Sequence, residues 1–175
     1  MPTTINGTTG VSLVQDNVIT SLNQPSGSVI QVANYPHTTY QTFSTIIPLD
    51  NTIPQNTEGS QYMSATITPK KANSVLKIEI VVNISTFAAL DCTVALFRDS
   101  AVNAIGASYV NAGAANQGRT VPMVVFVNST AAVSTTFTVR LGGGTATAIY
   151  LNGFNAAQLF GGISSSSITI TEIAQ

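Results

Sequence analysis

Residues 67–85 read ITPKKANSVLKIEIVVNIS. After Pro69 and the pair Lys70–Lys71, the stretch enters a long alternation. Leu76, Ile78, Ile80, Val82 and Ile84 fall on one side, and Lys77, Glu79, Asn83 and Ser85 on the other, joined there by Val75 and Val81. Period two is the mark of a β-strand with one face in a core. Ile67 and Thr68 end the preceding strand, because Pro69 has no N–H to donate to a continuing ladder. Ala72, Asn73 and Ser74 complete the reversal. The two lysines are then expected in water at the turn, where charge at a strand end discourages edge-to-edge pairing. A bound anion is the less favoured reading of the pair.

The same period recurs outward from this stretch. Phe137, Val139 and Leu141 alternate with Thr136, Thr138 and Arg140. Further strands are expected at 28–34, 42–49, 62–68, 91–98, 105–110, 121–127, 147–151 and 167–173, with β-branched residues dominating the runs. Turn-rich pieces separate them: NTIPQNTEGSQ, DSAVNAIG, NAGAANQG, GGG at 142–144 and GGISSSS. No long segment keeps a helical period, and no repeat of fixed length is visible. The reading is all-β: an antiparallel, jelly-roll-like β-sandwich of about 8–10 strands with a short N-terminal arm. In the strand at 121–127, Val121, Met123, Val125 and Val127 share one face, while Val124 and Phe126 occupy the other. Apolar residues on both faces call for a core on one side and a partner on the other.

Composition bounds the function. Only 7% of the 175 residues are charged and the net charge is -1, against about 25% charged in ordinary soluble domains. This leaves no electrostatic footprint for nucleic acid or anionic membrane. No apolar run approaches the roughly 18 residues of a membrane-spanning helix, so no membrane insertion is expected. A surface of Thr, Ser, Asn and Gln has little charge repulsion to keep copies apart, which suits an assembly subunit. The N-terminal MPTTINGTTG lacks the basic and apolar regions of a secretory signal, so synthesis in the cytoplasm is expected. Residues 1–27 form one unit, the arm, and 28–175 the β-sandwich domain. Val11, Val14, Val18 and Leu22 are spaced as on a helical face, but the series is short. An extended arm that orders only on its partner is the preferred reading, and Asn23, Pro25, Ser26 and Gly27 break the chain after it.

Chemistry is hard to find. His37, in NYPHTTY, is the one histidine, and no G-x-S-x-G turn supplies a serine nucleophile for it. It reads as a loop histidine among tyrosines. Cys92 is the one cysteine and lies on a strand face with Val94 and Leu96, which reads as a small buried hydrophobe rather than a nucleophile. The acids Asp16, Asp50, Asp91, Asp99, Glu58, Glu79 and Glu172 fall in no paired motif of the glycosidase kind. No catalytic, cofactor-binding or metal-ligating residues are assigned, and no cofactor or enzymatic activity is expected. One binding surface is open: Tyr35, His37 and Tyr40 offer aromatic faces and hydrogen-bonding edges suited to a sugar or a protein. Packing of these residues against a subunit neighbour is the favoured alternative.

The segments SVIQV at 28–32, the Thr- and Phe-bearing strand at 42–47, ITPKKANSVLKIEIVVNIS, ALFRDSAVNAIG and SITITEI together resemble the small jelly-roll modules of tailed-bacteriophage virion proteins. TTINGTTGVSLVQDNVI is similar to the leading segment of phage fibre proteins. The resemblance implies a homotrimeric, non-enzymatic protein of the virion surface, assembled in the host cytoplasm and serving as a capsid decoration or cement protein or as a head fibre. Its implied partners are its own copies and another virion protein, such as the major capsid protein or a tail or fibre component, with docking through residues 1–27. The receptor-binding tip of a tail fibre or spike, engaging a host surface glycan through loops at 34–41 or 111–118, is the alternative. The chain has no long shaft and no collagen-like or heptad stretch, which favours a compact knob.

Overall fold

The computed structural model describes residues 24–130 and 133–175. The arm expected at 1–27 therefore lies outside the described residues except for 24–27. Twelve strands are present among the described residues: β1 (Val29–His37), β2 (Gln41–Phe43), β3 (Ser60–Ile67), β4 (Val75–Thr86), β5 (Leu90–Arg98), β6 (Gly106–Ala112), β7 (Gly118–Asn128), β8 (Thr135–Gly143), β9 (Ile149–Leu151), β10 (Gly153–Phe154), β11 (Ala157–Gln158) and β12 (Ser166–Ile173). A single 3₁₀ turn, Phe160–Gly162, precedes the last strand.

Pairing runs from the outside of the chain inward. β1 pairs with β12, β3 with β8, β4 with β7 and β5 with β6, all antiparallel. These eight strands fall alternately into two sheets, ordered β1-β12-β4-β7 and β3-β8-β5-β6. A long antiparallel ribbon folded over in this way is a jelly roll. The short strands β9 and β2 extend the first sheet: β9 pairs with Ile84–Thr86 of β4 beyond the end of β12, and β2 pairs with β9. β10 and β11 form a separate small hairpin.

The alternation in β4 holds along its whole length. Leu76, Ile78, Ile80, Val82 and Ile84 are all buried, facing Val94, Leu96, Phe137, Val139 and Leu141 of the other sheet. Cys92 is buried with them as a free thiol. Burial, reinforced by the neighbouring Asp91 charge, pushes that thiol up to about 12, so it is an inert thiol at neutral pH. Pro122 sits in β7, which pairs with β4 alone and so tolerates a missing N–H on its open side.

Three expectations need correction. The strand expected at 42–49 stops at Phe43. Residues 44–59 instead leave the first sheet and cross the outer face of the second. There Ile47 packs on Ala95 and Phe97, forming a second small core outside the sandwich. The chain between His37 and Tyr40 turns, but Tyr35 and His37 belong to strand β1 rather than to a loop. Finally, Gly142 and Gly143, expected in a turn-rich piece between strands, instead close β8. A Cβ on Gly142 would stand 2.6 Å from the Ile47 backbone nitrogen, and one on Gly59 (φ 61°) would stand 2.7 Å from the Ile47 Cδ1. Gly142 is bare because Ile47 of the crossing segment is seated on it, and Gly59, which ends that segment, combines a left-handed φ with the Ile47 side chain folded against it. Arg140 fastens its far end, donating from Nε to the Glu58 carbonyl (2.6 Å) and from Nη2 to the Gly59 carbonyl (2.8 Å).

Candidate functional site

The lysine turn holds an anion after all, and it is the chain's own. In SITITEI the period-two count places Glu172 on the inward face with Ile168 and Ile170, and Glu172 is fully buried. Its carboxylate accepts hydrogen bonds from the backbone N–H groups of Lys70 (2.9 Å) and Lys71 (3.0 Å). The Ser74 hydroxyl (2.8 Å) and the Gln31 amide (2.6 Å) also donate to it. Burial pushes this carboxyl up, but the four donors outweigh it and hold the group below the usual glutamate range. The turn is further closed by the Ser74–Ser129 hydroxyl pair (3.0 Å) and by Lys71 Nζ donating to the Gln175 carbonyl (2.8 Å). The site therefore ties β1, β4 and β12 together through successive backbone N–H groups. It is a structural clamp, with its anion already in place.

The tyrosines divided by the fold are the next group. Tyr35 and His37 lie on one face of edge strand β1 and line a cavity of about 220 Å³ with Tyr62 and Ser64 of edge strand β3. The Tyr35 hydroxyl donates to the Thr66 carbonyl. His37 meets the Tyr62 ring edge-on, with centroids 6.2 Å apart, and its Nε2 lies 3.3 Å from Gln41 Oε1. Tyr62 is buried with its hydroxyl unpartnered, and burial pushes that phenol well above its ordinary range. Tyr40 stands apart. Its ring lies against Gly153, where a Cβ would come within 2.4 Å of it, and its hydroxyl pairs with Thr42 at 2.9 Å. Asn152 bonds the His37 and Thr39 carbonyls at 2.7 and 3.2 Å, fixing this turn from below. The structure thus brings Tyr35 and His37 together with Tyr62 and separates Tyr40 from them.

The outward face of the β1-β12-β4-β7 sheet is the third surface. By register, Lys77 lies opposite Phe126, Glu79 opposite Val124 and Val81 opposite Pro122. Val124 is 52% exposed and Phe126 61%. Their neighbours Val121 and Met123 point inward and are buried, while Val125 and Val127 pack against the core. Both faces of β7 are apolar, as its sequence predicts, and the described chain covers one of them. Lys77 and Glu79 form an ion pair at 2.8 Å beside this patch.

Among the described residues, no cluster of three or more His, Cys, Asp or Glu side chains is placed to hold a metal ion. No described helix is long and apolar enough to cross a membrane.

No protein-family model and no characterised protein sequence matches the chain. Solved structures to which the chain is similar include a sugar-binding protein, the EclA C-terminal domain, at 16% identity and TM-score 0.38, covering 68% of this chain and 77% of that one. A structure of infectious bursal disease virus, Gt strain, is 13% identical with TM-score 0.44, covering 94% of this chain and 42% of that one. The enzymatically active domain of tailspike protein 4 of bacteriophage CBA120 is 12% identical with TM-score 0.27, covering 71% and 19%. The chain thus spans less than half of the two viral chains.

Proposed function

We propose that this chain is a non-enzymatic structural protein of a bacteriophage virion, a homotrimeric surface knob that decorates or cements the capsid and docks through residues 1–27. The observation that carries the assembly reading is the bare apolar face of β7, with Val124 and Phe126 exposed beside Pro122 and Val81. An apolar strip on a domain with 7% charged residues has little to keep it from a like surface. Three arms carried by one trimer act at high effective concentration, so weak docking by each still gives firm attachment. The sequence resemblance to phage jelly-roll modules supplies the setting; the apolar face supplies the need for a partner.

The test uses the full chain and a deletion of residues 2–24. The full chain is expected to have a solution mass three times its 18.1 kDa subunit. A monomer that keeps full stability on dilution overturns the assembly reading. The deletion is expected to leave trimer mass and thermal midpoint nearly unchanged while abolishing binding to particles that lack the protein. Continued decoration by the truncated trimer would move the attachment surface onto the jelly roll.

The second reading, a receptor-binding tip of a fibre or spike, is favoured by the groove on the outer face of the opposite sheet, lined by Asp50 and Tyr109. Copy number on the particle separates the two: hundreds of copies belong to a decoration, a handful to a tail.

A further inference from the structure

The segment 44–59 does not cover the second sheet completely. Two cavities remain on that outer face, one of about 150 Å³ and one of about 480 Å³, and Leu49 lines both. We propose that this groove binds a neutral sugar, with the ring against Tyr109 and a hydroxyl on Asp50.

The floor is built by β5 and β6. Thr93 lies directly opposite Tyr109 in the ladder, on the outward side of β5, since Cys92 and Val94 point into the core. Thr93 is only 4% exposed, lines the smaller cavity, and its hydroxyl has no hydrogen-bond partner. Its oxygen is closed off from the cavity, so Thr93 serves the groove as floor rather than as a ligand group. Tyr109, by contrast, is 61% exposed. Its ring stands beside Pro48 and Pro54 as an apolar platform with a polar tip, the combination that accepts the C–H face of a sugar.

The rim supplies direction. Asp50 Oδ1 accepts from the Thr52 backbone N–H (2.8 Å) and from its hydroxyl (2.6 Å). These two donors fix the carboxylate and hold it below the usual aspartate range. Its Oδ2 accepts no bond among the described residues and is free for a ligand O–H. In the larger cavity Asn111 donates to Asp91 Oδ1 at 2.8 Å, so that carboxylate is oriented in the same way. Neither cavity is lined by a lysine or arginine. Two carboxylates without a cation repel anionic sugars and accept neutral ones, which gives the site its discrimination.

The inference deepens the receptor-binding reading and is independent of the assembly reading: a trimer that binds no sugar leaves the latter intact. The experiment is saturation-transfer difference NMR on the full chain. The probes are the methyl glycosides of glucose, galactose, mannose, fucose, N-acetylglucosamine and N-acetylgalactosamine, with those of glucuronic acid and N-acetylneuraminic acid as anionic controls. Transfer to at least one neutral glycoside and to neither anionic one is expected. Tyr109→Ala and Asp50→Asn alter exposed side chains, so their thermal midpoints should match the parent while affinity falls about tenfold or more. Thr93→Val removes a hydroxyl that no ligand reaches and is the control expected to leave binding and fold unchanged. No transfer to any neutral glycoside, equal transfer to the anionic ones, or unchanged binding in both Tyr109→Ala and Asp50→Asn overturns the proposal.

Discussion

The two sheets differ in how their outer faces are finished. On β3-β8-β5-β6 the chain covers itself: Ile47 lies on Ala95 and Phe97, seated over Gly142 and held by Arg140. On β1-β12-β4-β7 nothing in the described chain covers Val124 and Phe126. Both faces carry large apolar side chains, but only one is buried within the subunit. An apolar face is therefore closed either by spare chain or by another molecule, and this fold uses its spare chain on the second sheet.

The largest effect should appear under the covering segment. Phe97→Ala removes a fully buried ring that packs with Ile47 and Ala95 and is expected to cost about 3–5 kcal/mol in chemical denaturation. A loss below about 1 kcal/mol would mean that the segment is a loose flap and that the two outer faces are more alike than they look.

Next comes the clamp at the sheet edge. Glu172→Gln places an amide where four donors converge and is expected to cost about 2–4 kcal/mol. The sign with pH follows from the depressed carboxyl. Its contribution is fully present above the ordinary glutamate value of about 4.3 and is lost as pH falls through the lower folded value. The variant should therefore lose part of the parent's acid-side decline in stability. Equal acid slopes in parent and variant would show that Glu172 is not the group that titrates.

The long strand and the inward Glu172 show what could be read from residues alone. Period two placed all five core residues of β4 correctly, because one buried face imposes a strict register. The same count on SITITEI puts Glu172 beside Ile168 and Ile170, so a buried carboxylate was legible there, but its donors were not. Lys70 and Lys71 contribute backbone N–H groups, and backbone groups carry no sequence signature. The covering role of 44–59 was hidden for a similar reason. Its seat is a missing side chain, at Gly142, and a glycine that makes room looks like a glycine that makes a turn. Thr93 was equally silent, one threonine among many until β5 and β6 set it opposite Tyr109.

On the bare face, Phe126→Ala should leave the fold of the subunit intact and act on association. Burying such a side chain against a neighbour is worth about 1.5–3 kcal/mol, so the dissociation constant should rise about tenfold or more per contact. Analytical ultracentrifugation across a dilution series reads this directly. An unchanged assembly would place the partner surface elsewhere and leave this strip as ordinary exposed apolar area.

The smallest effect sharpens where the bare face ends. Lys77 is the cross-strand neighbour of Phe126 on β4 and pairs with Glu79 at 2.8 Å, with side chains 32% and 40% exposed. An ion pair this open is screened by water, so Lys77→Ala should change stability by no more than about 0.5 kcal/mol. Its effect on association distinguishes two outlines for the contact. If the partner covers β7 alone, Lys77 stays at the wetted rim and the dissociation constant should move by less than about threefold, with a weak salt dependence. If the partner reaches across β4, the Lys77–Glu79 pair is taken out of water. Removing one member would then strand the other, and the loss should rival that of Phe126→Ala. Measured beside that variant in one dilution series, Lys77→Ala sets the boundary between the surface given to a neighbour and the surface left to solvent.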